Sequence, residues 1–233
     1  HKSMKAYRQD KMKLFSQLEE HYRKKEVPKI SVHHMDDHEN REEFIAFWAE
    51  KKIGYSKTAS KDERLSSSVW CEGLEYLPDQ TRLTLCTPGK KLAMTTYLPG
   101  EFNIENILAA AAICHSQEVA LEKIAEVLSE VRLIPGRLEP IEEGQKFKVY
   151  IDFAMTEDGY RKLLSTLRPL TSGKLWVIFG CCGDRDRKKR PRIGEICGAL
   201  ADRVVVCDDE PYTEDPGVIR DMILEGLRNS SMK

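Results

Sequence analysis

The sequence predicts an α/β protein built as two consecutive domains. Hydrophobic residues make up 41% of its 233 positions, enough for packed cores. After Pro135-Gly136, strand-like and helix-like segments alternate. The strand-like ones, such as KLWVIFG and RVVVC, are almost wholly apolar, as in parallel sheets covered by helices on both faces. The boundary falls near residue 133, giving domains at 1–132 and 133–233.

Each element follows from local pattern. Residues 3–25 read as an amphipathic helix, with Met4, Tyr7, Met12, Phe15 and Leu18 at mixed helical spacings among charges. VPKISVHH is a short strand leading to a turn at Asp36 and Asp37, and REEFIAFWAEKK predicts a helix over 41–52 that Gly54 stops. Alternation then takes over. RLTLCTP and KLAMTTYLP, separated by Pro-Gly-Lys at 88–90, predict a hairpin in a small sheet. ENILAAAAICHSQ is a buried helix and residues 119–132 an amphipathic one. Beyond Gly136, KFKVYIDFA is a strand, DGYRKLLSTLRPL a helix and KLWVIFG a strand. A polar Gly-rich loop, the helix RIGEICGALAD, the strand RVVVC, a second polar loop and the helix PGVIRDMILEGLRN complete the order.

Composition excludes several classes. Lys+Arg total 37 against 38 Asp+Glu, a net charge of -1, which argues against an electrostatically driven nucleic-acid binder. No run approaches the ~20 apolar residues that cross a bilayer, and no signal segment opens the chain. A cytoplasmic protein without membrane partners is the expectation. The seven cysteines include no C-x-x-C pair, so neither a disulfide framework nor a zinc knuckle is indicated. Most sit in apolar runs, Cys197 and Cys207 among them, where a thiol behaves as a small core residue. The first residue is His1 rather than Met, so a piece of a longer chain is expected.

Open parallel sheets gather ligands outside the carboxyl ends of their strands. Three such ends here are polar: Asp152 after KVYI, GCCGDRDRKKRP over 180–191, and DDEPYTEDP over 208–216. In the middle one, Gly180 and Gly183 allow tight backbone geometry, and a helix beginning near Arg192 points free N–H groups at the loop. Arg185, Arg187, Lys188, Lys189 and Arg190 add positive charge, which Asp184 and Asp186 can orient by bidentate pairing. Such a loop suits a phosphate or a carboxylate; a solvated, salt-bridged loop is the plain alternative. Neither G-x-x-x-x-G-K-[ST] nor G-x-G-x-x-G occurs.

Four segments in this order and spacing, YLPGEFNIENILAA (97–110), IPGRLEP (134–140), YIDFAMTED (150–158) and FGCCGDRDRKKRP (179–191), resemble the Mur ligase family. The opening HKSMKAYRQDKMKLF is similar to the same family, and the match is to its E-type branch, which adds a diamino acid to UDP-MurNAc-L-Ala-D-Glu. The resemblance implies the latter part of a P-loop-type central ATPase domain at 1–132. A Rossmann-like C-terminal Mur ligase domain, incomplete, follows at 133–233. It also implies ATP and Mg2+ as cofactors, an acyl-phosphate intermediate, a UDP-MurNAc-dipeptide and a diamino acid as partners, and a monomer.

Residue roles carry over one by one. Lys11, in YRQDK, matches the lysine that the family carbamylates, whose carboxylate helps hold Mg2+. Asn103 and Asn106 match asparagines near the adenine, Arg137 the arginine reaching ribose and phosphates, and Asp152 the acceptor of ribose hydroxyls. Arg185 matches the residue that grips the carboxylate of the incoming amino acid. Asp209, Glu210, Pro211 and Tyr212 align with the family's four-residue specificity motif.

Two departures stand out. The family commonly reads Asp-Tyr-Ala-His-Thr-Pro-Asp, whereas here Met155 replaces the histidine and Glu157 the proline. Enzymes using meso-diaminopimelate usually end the specificity motif with arginine; Tyr212 cannot form that ion pair, and Glu210 suits an ammonium, which favours L-lysine. The family's UDP-binding domain and phosphate loop would precede His1, and its Gly-Lys-Gly-His-Glu segment would follow Lys233. The chain alone is therefore expected to be inactive. Two rivals are a non-catalytic, divergent Mur-like module binding a nucleotide or amino acid, and a folylpolyglutamate-synthetase-like ligase.

Overall fold

The computed structural model describes residues 3–59, 62–77 and 80–230. The terminal residues His1 and Lys233, which bear on the expected fragment, lie outside them. The chain forms two compact units, His1–Arg132 and Leu133–Lys233.

The first unit holds a five-stranded mixed sheet in the order β1 (Ile30–His34), β2 (Lys51–Ser56), β3 (Ser67–Tyr76), β4 (Thr81–Thr87), β5 (Lys90–Thr96). β1, β2 and β3 run parallel, and β3–β4 and β4–β5 are antiparallel. The β4–β5 pair is the hairpin expected around 88–90, with Thr87 opposite Lys90. Helix α3 (Glu101–Ser116) lays Ile104, Ile107, Leu108, Ala111 and Ala112 on the sheet, and α4 (Leu121–Glu130) adds Leu121, Ile124 and Ala125. These spacings of three and four are the buried stripe of each helix. Helix α1 (Met4–Glu20) begins at Ser3, whose hydroxyl accepts from the Ala6 N–H, and buries no residue fully. Its anchor is Phe15, whose ring meets those of Phe44, Phe47 and His33.

One expectation fails here. The predicted helix over 41–52 is only α2 (Arg41–Ile45), and Lys51–Ser56 is a strand. Parallel pairing with β1 on one side and β3 on the other supplies the backbone partners that a longer helix would have used. Gly54 is no helix stop. It lies in β2 beneath Leu65, whose side chain would stand 2.6 Å from an added β-carbon.

The second unit contains two short sheets. β6 (Glu139–Ile141) and β7 (Val149–Ile151) are antiparallel; β8 (Trp176–Phe179) and β9 (Arg203–Val206) are parallel. Helices α5 (Glu157–Leu167), α6 (Lys189–Leu200) and α7 (Pro216–Asn229) surround a core of Tyr160, Leu164, Leu175, Phe179, Ile193 and Ile223. α6 and α7 pack so closely that a β-carbon on Gly226 would lie 1.7 Å from the Pro191 carbonyl oxygen. Coverage on both sheet faces is not observed among the described residues. Val177, Phe179, Val204 and Val206 face the helical core, whereas Trp176, Ile178 and Val205 are exposed. Apolar runs reported burial correctly for alternate residues only.

The α/β class holds in both units. Caps explain where the later helices begin: Thr156 accepts from the Gly159 N–H at α5, and Asp215 accepts from Gly217 and Val218 at α7, where Pro216 takes the first turn.

Candidate functional site

In the first unit, Lys11 is exposed on α1, its Nζ 5.4 Å from the centre of the Tyr7 ring. Asn103 sits in the first turn of α3, fully buried. Its amide donates to the Pro99 carbonyl at 2.7 Å, while its Oδ1 accepts from Asn106 Nδ2 at 3.2 Å. Asn106 is exposed. The buried asparagine is thus the support, and the exposed one presents an amide outward, a group able both to donate and to accept.

Buried polar chemistry in β1 belongs to histidine. His33 is 3% exposed, its Nε2 2.7 Å from Ser31 Oγ. Burial, with the Lys52 and Arg64 charges nearby, pushes it down to about 4.

In the second unit, Arg137 is exposed and its guanidinium lies 5.9 Å from the Phe153 ring centre. Asp152 is half-buried and accepts the Leu138 N–H at 2.9 Å, so one carboxylate oxygen pins the turn that carries Arg137. A cleft of about 460 Å3 runs from Asp152 and Met155 past Trp176 and Ile178 to Cys182, Lys189 and Asp209. It runs along the edge of β8 that is unpaired among the described residues, from Leu175 through Phe179, and reaches Asp152 just past β7.

Two loops close one end of this cleft. Helix α6 begins at Lys189, not near Arg192, and Lys188 makes no side-chain cap bond. Arg190 is fully buried rather than solvated. Its two terminal nitrogens donate to the Glu214 carboxylate at 2.9 and 2.8 Å, and one also reaches the Cys182 carbonyl at 3.2 Å. Glu214 in turn accepts the Asp184 N–H at 2.7 Å and pairs with Arg187 at 3.0 Å. Hydrogen bonding from Arg190, then from the Asp184 N–H, holds its carboxyl down at about 2. The expected pairing role of Asp184 and Asp186 is therefore taken by Glu214. Asp184 accepts instead from Thr213 Oγ1 at 2.6 Å, and Asp186 from the Lys188 N–H at 2.9 Å.

Arg185 stays exposed, its guanidinium 5.9 Å from the centre of the Tyr212 ring. Tyr212 donates to Glu210 Oε2 at 2.6 Å, and Asp209 accepts from Cys182 Sγ at 3.2 Å. Pro211 offers its carbonyl to the Glu214 N–H. These loops thus bring Arg185, Glu210 and Tyr212 together. The thiols of Cys181, Cys182 and Cys197 are all raised, chiefly by burial, with Cys197 pushed up to about 12. None is primed as a nucleophile. Cys207, expected in the core, is exposed.

Met155 is 38% exposed, and its carbonyl accepts from Lys189 Nζ at 3.0 Å. Glu157, in the place of the family's proline, occupies the first turn of α5 and pairs with Arg192 at 3.3 Å. Among the described residues no three His, Cys, Asp or Glu side chains cluster to hold a metal ion. The unmodified Lys11 ammonium offers only donors and is not itself a ligand for Mg2+.

Glu214 carries no local sign of its role, and Arg190 sits among loop cations in the sequence. A signal existed: Arg190, Ile193 and Cys197 recur at spacings of three and four, which puts Arg190 on the buried stripe of α6.

Fold and loops together define an α/β protein whose second unit carries a cation-rich loop bound to an acidic one at the strand ends. Comparison with known proteins narrows that class. The family model for the Mur ligase middle domain matches residues 1–114, and that for the Mur ligase glutamate ligase domain matches 136–232. The chain belongs to the Mur ligase family. It is 36% identical over 223 residues to the UDP-N-acetylmuramoyl-L-alanyl-D-glutamate--2,6-diaminopimelate ligase of Geobacillus kaustophilus, covering 95% of this chain and 44% of that protein. A solved structure of a ligase of that name aligns over 98% of this chain and 44% of its own, at 26% identity and a TM-score of 0.57. Folylpolyglutamate synthase of Thermotoga maritima shares the fold, at 17% identity and a TM-score of 0.62 over 88% of this chain and 53% of that one. The chain spans less than half the length of the curated relatives it matches.

Proposed function

We propose that this chain is part of an ATP-dependent amide ligase that adds a diamino acid, L-lysine, to UDP-MurNAc-L-Ala-D-Glu through an acyl phosphate, in peptidoglycan precursor synthesis. Family membership supports the reaction class. The observation that carries the choice of amino acid is the Tyr212–Glu210 hydrogen bond, with Arg185 alongside. Arg185 serves the α-carboxylate of the incoming amino acid. Glu210 offers a carboxylate to a distal ammonium, and Tyr212 offers no cation to a second carboxylate. Asn106, held by Asn103, meets the adenine; Asp152 and Arg137 serve the ribose and phosphates.

The 233 residues contain no Walker-type loop, so this chain by itself lacks a cradle for the ATP phosphates and is proposed not to turn over. Carbamylation would convert Lys11 from a donor into an oxygen ligand, and would show as one added CO2 on its peptide, lost in acid. This reading places a monomeric enzyme in the cytoplasm; among the described residues no helix is long and apolar enough to cross a membrane.

The deciding experiment is an ATP-dependent ligation assay on the gene-length protein, with UDP-MurNAc-L-Ala-D-Glu as acceptor. L-Lysine and meso-diaminopimelate are offered separately and product is followed by mass. Product with lysine alone supports the reading, and product with diaminopimelate alone overturns the specificity argument. No product with either favours the second reading, a binding module that has lost ligation. Met155, standing where the family commonly carries histidine, is the residue that favours it.

A further inference from the structure

We propose that Arg190 and Glu214 form a positioning latch that sets amino-acid selection by fixing the loop of Glu210 and Tyr212 against the loop of Arg185; this rests on the reading above. Arg190 is fully buried and the Glu214 side chain is 8% exposed, joined by two N–H···O bonds. Burying an ion pair is poor value as stability alone, because desolvation offsets most of the attraction. The location adds to that cost. Lys189, Arg190 and Arg192 crowd the first turn of α6, where the helix dipole disfavours cations, and that turn holds no acidic residue. Glu214, from the other loop, is the compensating anion. Arg190 Nε even lacks a partner among the described residues.

What the pair holds is strained backbone. Asp184, Glu210 and Tyr212 have φ of 53°, 33° and 49°, the left-handed region that bulky side chains avoid. Such residues persist only where surrounding contacts over-determine them. Here those contacts converge on the latch: Glu214 takes the Asp184 N–H, Asp184 takes the Thr213 hydroxyl, and Gly183 donates to the Glu210 carbonyl at 3.0 Å. Arg190 also grips the Cys182 carbonyl, one residue before Gly183. Two residues that touch no substrate thereby place the three side chains that would.

The test has two arms. In the first, Arg190→Lys, Glu214→Gln and the double variant are made in the gene-length protein. KM for the amino acid is expected to rise about tenfold or more, since small misplacements cost up to roughly a hundredfold, while KM for ATP stays put. The double variant should be no worse than the poorer single, because both break one unit. An unchanged amino-acid KM, with kcat falling as folded protein is lost, overturns the proposal.

The second arm needs no turnover. Hydrogen exchange on the 233-residue chain should show the Gly183, Asp184 and Thr213 amides losing protection in Arg190→Lys, with the α6 and α7 amides unchanged. Equal loss throughout both helices, or no loss in the loops, overturns the latch. Wild-type gene-length protein that makes no product with either amino acid removes the selection claim with the functional reading, and the exchange arm then decides the positioning claim by itself.

Discussion

Gly183 and Pro211 stand in backbone contact across the two loops: a β-carbon built on Gly183 would fall 1.8 Å from the Pro211 carbonyl oxygen. No side chain can relieve that overlap, because the obstacle is backbone. Gly183→Ala must separate the loops, and is expected to destabilise the chain by about 1–3 kcal/mol, the cost of overpacking. Gly173→Ala is the control. Nothing lies within 4 Å of its added β-carbon, so it should be neutral or slightly stabilising. Urea unfolding of both variants checks the pair, and equal midpoints would remove the argument.

His33 predicts acid sensitivity in the first unit. Its folded pKa lies near 4, below the unfolded 6.5, because burial disfavours the imidazolium and Lys52 and Arg64 repel it, with Asp62 opposing weakly. The unfolded state therefore binds more protons between those values. The neutral histidine costs nothing above pH 6.5, and stability is lost as pH falls from there toward 4, by roughly 3 kcal/mol at most. His33→Gln should flatten that part of the stability–pH curve while lowering stability at pH 7. Denaturant midpoints at pH 7.5, 6 and 4.5 for both proteins make the comparison, and parallel curves would contradict it.

Asn103 and Asn106 separate support from recognition. Asn103→Ala leaves the partly buried Pro99 carbonyl without its side-chain donor, removes the acceptor of Asn106 and empties a fully buried site, so a loss of about 1–3 kcal/mol is expected. Asn106→Ala removes an exposed side chain and should stay within about 0.5 kcal/mol of wild type. Under the proposed reading it nonetheless weakens ATP about fivefold in the gene-length protein, one hydrogen-bonding amide being worth ~1 kcal/mol. Thermal unfolding together with calorimetric titration of ATP distinguishes them. A large stability loss in Asn106→Ala with unaltered ATP binding would reverse the assignment.

How far the sequence is readable depends on whether a feature is local. Capped helices α5 and α7 and the β4–β5 hairpin are visible because Thr156, Asp215 and Pro88-Gly89 act on their own neighbours. Strand β2 is not visible, because its pairing with Val32 and Val69 neighbours lies outside any local window. The specificity loop divides the same way. Asp209, Glu210, Pro211 and Tyr212 were found through a family motif, whereas Glu214 gains its role only from Arg190, 24 residues away in sequence. A charge in a charged run looks solvated until the fold supplies its partner.

Tyr212 and Glu210 make the sharpest prediction for specificity. Tyr212 is 57% exposed and already at φ 49°, so Tyr212→Arg adds no new backbone strain. The tyrosine hydroxyl touches Glu210 Oε2, however, and a guanidinium placed there would be neutralised by the same carboxylate. The single substitution should therefore shift the diaminopimelate-to-lysine ratio of kcat/KM by less than about tenfold. Glu210→Gln with Tyr212→Arg removes the competing anion and the ammonium partner at once. That double variant should raise the ratio by roughly 10- to 100-fold, as a freed charged hydrogen-bond donor meets the second carboxylate. Paired ligation assays on the gene-length protein measure both ratios. A single variant that matches the double would show that Glu210 does not compete, and a double variant that leaves the ratio unmoved would show that this loop does not read the distal end of the amino acid.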